Sequence, residues 1–503
     1  MRKKLYFCKM KKTASIFLGL ALSMSAALAQ NAPQGIQPYV NEVAAQEPLK
    51  GSSWAIYAQD AAGNVLAAHN PGMRLMPASN RKLVTTGVAL HAFGPSYRFK
   101  TGLGYTGTIE DGTLKGDLYI IGGGDPTIGT QDSIALKPDA LFWKWKTILR
   151  SHGIERIHGR IIGDGSAYEG HLEHPSWDYD DTGTYYGTGG NALCFYENTI
   201  DMDVRATEVG KPIGLSQVYP ETPWLQVSNF GITGPKGSGN SLYLFTTDLA
   251  PYAQMRGTFA IDRRPKTENT SNKYGDLTCA YYFWKNLKET GWEVTGGYAH
   301  VSRAGYIQGS DFVEQEKAGN PKEIGFTESP TLANIARITN ERSDNFYAES
   351  MLRAMGEKAS GIAVYDSCLV AESVVLRDLG LQLDQIEFAD GSGLSRMNYV
   401  TAEWMVSYLK AMQGSPAFPA FMASLPKPGE GTLSMIRFPG CERVRMKSGS
   451  LSGTLCYSGY ILGRDGKPAV IFSMLTNNAL AGASEVRPVL MEMLKKLVSL
   501  QDR

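Results

Sequence analysis

Apolar residues recur every three to four positions over 331–338, 345–356, 366–379 and 401–412, and each stretch predicts an amphipathic helix. After these the period falls to that of extended chain. Residues 443–447, 455–462 and 469–475 predict three sequential strands, and 484–500 predicts a closing helix with basic residues near its end. Near the N-terminus, 53–57 and 64–68 predict two strands around an Asp60-Ala61-Ala62-Gly63 turn. A helix follows them almost at once. From about residue 97 the character changes. Residues 97–105, 107–109 and 113–121 predict strands, with Glu110-Asp111-Gly112 as a turn, and 156–162 and 293–301 predict two more. Helices are expected at 138–150, which has proline in its first turn, and at 278–289, which Gly291 stops. Residues 165–240 are rich in glycine and aromatics without a clear period, which suggests long loops over a β scaffold. No internal repeat is evident. The whole predicts an α/β unit from 30–95 plus 326–503, interrupted by a β-rich insertion over 96–325.

Composition changes this picture little. Apolar residues make up 43% of the 503 and charged residues 20%, ordinary for a globular chain with room for two or three domains. A net charge of +1 gives no reason to expect nucleic acid as a partner. The first residues change the picture more. Arg2, Lys3, Lys4, Lys9, Lys11 and Lys12 precede an apolar run over 14–27, and Ala27-Leu28-Ala29 fits a small-x-small cleavage site. Residues 1–29 therefore read as a signal peptide cut before Gln30. The mature chain is expected to be exported, with no transmembrane anchor. Removing Cys8 leaves Cys194, Cys279, Cys368, Cys441 and Cys456, an odd number. Cys441 and Cys456 flank an expected hairpin and are the best pair for a bridge; five buried free thiols fit equally well.

The chemistry centres on Pro77-Ala78-Ser79-Asn80-Arg81-Lys82 at the start of the expected helix. Residues three apart on a helix share a face, so Ser79 and Lys82 point into one space. A serine hydroxyl attacks well only when a base takes its proton, and a lysine can be that base if burial and nearby positive charge lower its pKa. One Ser-x-x-Lys match is weak evidence, because chance supplies about one or two in a chain this long. Two later stretches strengthen it. Ser343-Asp344-Asn345 falls between two expected helices, and Lys447-Ser448-Gly449 falls on the first of the final strands.

Together the three motifs are the set of class A β-lactamases and penicillin-binding proteins, with Ser448 in place of a threonine. The separation of the first two, 343 − 79 = 264 residues, resembles the class C low-molecular-mass penicillin-binding proteins, D-alanyl-D-alanine carboxypeptidases and endopeptidases with a large insertion. Gly116-Asp117-Leu118, Gly124-Asp125-Pro126-Thr127, the run from Asp390 to Arg396, and Leu425-Pro426 with Gly431-Thr432-Leu433 resemble that family too. The resemblance covers about 35–500. It implies a penicillin-binding transpeptidase-like domain, an antiparallel sheet flanked by helices, split by the β-rich insertion. It also implies a periplasmic enzyme acting on peptidoglycan stem peptides and cross-bridges and acylated by β-lactams, with no cofactor and no metal.

The implied roles follow residue by residue. Ser79 attacks the carbonyl between two D-alanines and Lys82 accepts its proton. Ser343 relays that proton to the leaving amine. Asn345 binds a substrate amide and orients Lys82. Lys447 attracts the terminal carboxylate and helps depress the Lys82 pKa, and Ser448 donates to the same carboxylate. The backbone N–H groups of Ser79 and Ser450 form the oxyanion hole. Gly449 leaves room for the substrate backbone, and Asp344 braces its loop. From the insertion, the run Trp177-Asp178-Tyr179-Asp180-Asp181 with Tyr185-Tyr186 resembles a recognition loop. Asp181 and Tyr186 would contact the third residue of the stem peptide, and Arg396 would be a further cleft contact; a solvated acidic loop is the plainer reading. Ser452 is short and departs from some relatives.

Other signals are weaker. His171 and His174 lack a third zinc ligand and read as solvated loop histidines. Asp178, Asp180 and Gly183 hint at a calcium loop, but Gly189 stands where the bidentate glutamate belongs. Two other functions remain: a β-lactamase, which would turn penicillin over rather than stall, and a non-catalytic wall-binding protein, which would not be acylated.

Overall fold

A computed structural model describes residues 36–502; the expected signal peptide and Cys8 lie outside the described residues. One five-stranded antiparallel sheet runs Val65–His69, Ser53–Asp60, Pro468–Asn477, Thr454–Leu462, Val444–Leu451, so Val444–Leu451 is an edge. Both faces of this sheet are covered. Trp54, Ile56, Phe472 and Met474 pack with Val486, Leu490 and Met493 of the helix Ala483–Ser499 and with Val40 of Gln37–Ala44. The alternate residues Ala55, Ile471 and Leu475 join the core formed by the other helices. Strands buried on both faces read as continuous apolar runs, which is why the sequence shows them clearly.

The helices Leu332–Arg342, Asn345–Ser360, Tyr365–Asp378 and Ala402–Met412 match the four periodic stretches. Three have polar caps. Thr331, Asp344 and Thr401 each accept a backbone N–H from the first turn, satisfying a donor the helix leaves unpaired. The helix Arg81–Phe93 is buried from Arg81 through Leu90, so it is a central strut and not an amphipathic surface helix. The short helices Gln37–Ala44 and Phe418–Ser424 were not predicted.

Five further sheets come from strands between Lys100 and Glu328, and none shares a strand with the first. Three strands expected to be continuous are each split in two. Thr113–Lys115, Arg156–His158 and Glu293–Val294 lie in a four-stranded sheet, while Leu118–Ile121, Ile161–Asp164 and Tyr298–Val301 lie in a seven-stranded one. The chain crosses from sheet to sheet at Gly116, Gly159 and Gly296. A Cβ at Gly159 would strike the carbonyl of Gly116, and one at Gly296 would strike that of Gly159. The crossings stack backbone on backbone, which only glycine permits.

All five described cysteines are free. The Cys441–Cys456 bridge is therefore corrected. Cys456 pairs with Gly449 across the hairpin, whereas Cys441 precedes Val444. The five strand steps from Val444 to Gly449 alone span about 16 Å at roughly 3.3 Å per residue, beyond any disulfide.

Candidate active site

Ser79 sits in a 3-10 turn, Ala78–Asn80, that leads directly into Arg81–Phe93. Ala78 has φ +46°, a left-handed conformation that costs a non-glycine residue about 1–2 kcal/mol. The turn packs against the edge strand. A Cβ on Gly449 would lie 2.6 Å from Pro77 O, 2.9 Å from Asn80 N and 3.0 Å from Ser79 N. Gly449 therefore lets the strand and the Ser79 turn touch, and it lines the cleft as well. The same contact sets Ser79 N beside the strand that carries Ser450.

The Lys82 ammonium is fully enclosed and donates to Ser79 Oγ at 2.9 Å, Asn345 Oδ1 at 2.6 Å and the Ser392 carbonyl at 2.7 Å. Burial pulls its pKa down to about 8, with a smaller push from Arg81; Asp390, Glu349 and Asp344 work the other way. Lys447 is equally buried and donates to Ser343 Oγ at 2.9 Å and to the Ser448 carbonyl at 2.8 Å. Burial and then the Lys82 charge hold its pKa well below that of an ordinary lysine. Two ammonium groups in one dry site disfavour each other, so the pair resists carrying two protons.

Ser343 caps Leu332–Arg342 in a left-handed conformation, φ +61°, which aims its hydroxyl at Lys447. Asn345 opens the next helix. Its Oδ1 takes the Lys82 bond while its Nδ2 donates to the Tyr186 carbonyl at 2.9 Å. Asp344 accepts from Tyr347 N and pairs with Arg342, a bracing position as expected. Ser448 Oγ lies 2.8 Å from Thr432 Oγ1.

Ser79, Ser343, Asn345, Ser448, Gly449, Ser450, Asp181, Tyr186 and Arg396 all line one cleft of about 630 Å³; Lys82 and Lys447 lie buried beneath it. The acidic loop reaches this cleft from the intervening sheets. Tyr186 OH donates to Asp181 Oδ1 at 3.0 Å, and burial raises the Asp181 pKa. Arg396 is paired with Asp178 at 2.6 Å. Ser452 also lines the cleft. His174 is not a solvated histidine. It is half-buried, bonded to Ser176 Oγ and edge-on to Tyr365, while His171 is exposed. Among the described residues no group of three or more His, Cys, Asp or Glu could hold a metal.

Several supports escaped the sequence reading. Glu349 is fully buried and accepts from the backbone N–H of Gly391 and Ser392, and Asp390 accepts from Gly393, Ser395 and the Trp177 indole. These two carboxylates shape the loop whose Ser392 carbonyl binds Lys82. Its signal was present in Asp390-Gly391-Ser392-Gly393, a turn-forming run beside an acid. A second support is Arg342, which pairs with Asp344, Glu197 and Asp132. Glu197 and Asp132 come from the segment between the first two motifs. Tyr196, Glu197 and Asn198 are all left-handed, a strained turn that presents Glu197 at the cleft rim.

The chain resembles known proteins over most of its length. The chain is 26% identical over 454 residues to a D-alanyl-D-alanine carboxypeptidase of Actinomadura sp. strain R39, covering 85% of this chain and 78% of the relative. It is 24% identical over 503 residues to the D-alanyl-D-alanine carboxypeptidase DacB of Haemophilus influenzae, covering 95% of each. The crystal structure of penicillin-binding protein 4 from Haemophilus influenzae superposes with a TM-score of 0.75 at 22% identity, over 94% of this chain and 98% of that one. The same fold is shared with a β-lactam complex of that protein, at a TM-score of 0.70, 22% identity and the same coverage of both chains. The model of the D-Ala-D-Ala carboxypeptidase 3 (S13) family matches residues 36–497, and the chain belongs to that family.

Proposed function

We propose that this serine D-alanyl-D-alanine carboxypeptidase works through a Ser79 acyl-enzyme, with DD-endopeptidase activity on cross-bridges in the same cleft. The observation that carries the reading is the bond from a buried, pKa-lowered Lys82 to Ser79 Oγ. Neutral Lys82 takes the hydroxyl proton as Ser79 attacks the D-alanyl carbonyl. The backbone N–H groups of Ser79 and Ser450 receive the oxyanion. A terminal carboxylate lies at Ser448 and Thr432 above Lys447; its charge favours the protonated form of Lys447 and so leaves Lys82 the neutral member of the pair. Ser343, between Lys447 and the cleft, passes its hydroxyl proton to the departing nitrogen as the C–N bond breaks and takes a proton in turn from Lys447, while Lys82 keeps the one from Ser79. Water then cleaves the ester. Asn345 holds Lys82 in line. Asp181, Tyr186 and Arg396 select the third residue of the stem peptide, where a side-chain amine would meet the Asp181 carboxylate.

Export through residues 1–29 and a periplasmic setting belong to the same reading. Among the described residues no single helix is long and apolar enough to cross a membrane. We draw the inserted domain as about 96–325, a boundary that falls within the strand Lys322–Glu328, after which the chain re-enters the catalytic domain. The test is covalent labelling by a fluorescent penicillin. Wild type should label and stay labelled, while folded Ser79→Ala should not. Labelling of Ser79→Ala refutes the nucleophile, and rapid turnover of the label by wild type would favour a β-lactamase.

A further inference from the structure

A second groove, of about 530 Å³, adjoins the catalytic cleft and shares Asp180 with it. Its floor is the outer face of two strands, Tyr252–Arg256 and Tyr243–Thr246, of a three-stranded sheet that Gln226–Asn229 completes. The inner residues Leu244, Ala253 and Met255 are buried in a small core. Alternation puts Tyr243, Phe245, Tyr252, Gln254 and Arg256 on the other side. An outer sheet face ordinarily carries charged and small polar groups, so a face of rings with hydrogen-bonding edges calls for an occupant. The rings are exposed: Tyr243 is 39% and Tyr252 41% accessible, and Tyr179, which meets Phe245 at 3.7 Å between centroids, is 67% accessible.

Between the rings runs a fixed polar row. Tyr252 OH donates to Ser228 Oγ at 2.9 Å, Gln254 Nε2 donates to Tyr252 OH at 3.0 Å, and Arg256 Nε donates to Gln254 Oε1 at 2.9 Å. Flat ring faces beside ordered donors and acceptors suit a ligand with C–H faces and hydroxyl or amide edges, which is a sugar chain. The placement suits it too. Thr182 Oγ1 donates to the Thr246 carbonyl at 3.1 Å, so the acidic loop is fastened to this sheet. Tyr179 lies two residues from Asp181, no more than about 7.6 Å at 3.8 Å per Cα step. In peptidoglycan the third stem residue is itself two residues from the sugar that carries the peptide. A stem whose third residue lies at Asp181 thus brings its glycan to Tyr179 and the groove.

We propose that this aromatic face binds the glycan strand from which the stem peptide hangs, a site that rests on the reading of the cleft given above. The test compares a disaccharide pentapeptide with the same pentapeptide lacking sugar. Wild type should show a higher kcat/KM for the glycosylated peptide. Tyr252→Ala should cut that advantage about fivefold, the scale of one lost ring contact, while Tyr252→Phe should keep most of it. No advantage in wild type, or an advantage untouched by Tyr252→Ala, overturns the proposal. Co-sedimentation with peptide-free glycan strands tests the face without catalysis. Wild type should pellet, and a folded Tyr243→Ala/Tyr252→Ala double variant should remain in solution. Equal sedimentation of the two, as a protein-docking face would give, overturns the glycan site. Glycan binding without cleavage of either peptide would leave the site standing and overturn the cleft reading instead.

Discussion

Replacing Gly449 by alanine probes the contact on which the nucleophile turn depends. The added methyl would stand 2.6 Å from Pro77 O, and ordinary contact begins near 3.4 Å, so the carbonyl must retreat by 3.4 − 2.6 = 0.8 Å. The three nearest atoms are all backbone, so no side chain can swing away to relieve the clash. Overpacking of this kind costs about 1–3 kcal/mol. In a protein this large that lowers Tm by roughly 1–3 °C. The catalytic cost is expected to be larger, because the displaced turn carries Ser79 and, in the proposed mechanism, one oxyanion donor. A shift near 1 Å in a reacting group costs about 100-fold, so 0.8 Å should slow acylation by roughly 30- to 100-fold. The assay is the rate constant for labelling by a fluorescent penicillin, measured beside thermal unfolding. Gly72→Ala serves as control, since a Cβ there meets nothing within 4 Å and Gly72 does not need a left-handed φ. Wild-type acylation by Gly449→Ala would refute the argument that strand and turn meet at this glycine.

Three further outcomes are expected. Because Lys82 must be neutral to act and its pKa is drawn down to about 8, the acylation rate should rise with pH through about 8 and then level; a rise that continues past pH 10 would mean an ordinary lysine. Lys447→Ala should slow acylation by both peptide and penicillin by more than tenfold, and Lys447→Arg should recover only part, since it keeps charge but not shape; equal rates in wild type and Lys447→Ala would remove this residue from carboxylate binding. Asp181→Asn should raise KM for a stem peptide with a free side-chain amine and leave penicillin acylation nearly unchanged. For wild type that KM should climb as pH falls through the raised pKa of Asp181, because the carboxylate loses its charge; a parallel loss on both substrates would contradict a recognition role.

The parts legible in the sequence are those written locally. Ser79 and Lys82 are one helical turn apart, and the four periodic helices and three closing strands carry their burial pattern in consecutive residues. The supports are not local. Trp177 meets Asp390 across 213 residues, and Arg342 meets Asp132 across 210. Nothing near Glu349 marks it as a buried acid facing two backbone N–H groups; its surroundings read as plain helix. The split strands were missed for a related reason. Gly116 and Gly159 weaken an extended run only slightly, and their meaning lies in the backbone stacked against them. Cys441 and Cys456 misled because a hairpin was assumed without its register, and register decides which residues face each other.

The edge position of Val444–Leu451 has a consequence for selectivity. An edge strand offers an extended peptide its backbone N–H and C=O groups, and every peptide can answer those equally. Grip of that kind is indifferent to side chains. It would hold a stem peptide, a cross-bridge or an unrelated tail with similar strength. Discrimination must then come from groups outside the sheet, and the acidic loop and Glu197 both reach the cleft from the segment between the first two motifs. On the proposed reading of the cleft, what the enzyme accepts can be retuned by rewriting residues 177–186, while the strand beside Ser79, pinned by Gly449, stays as it is.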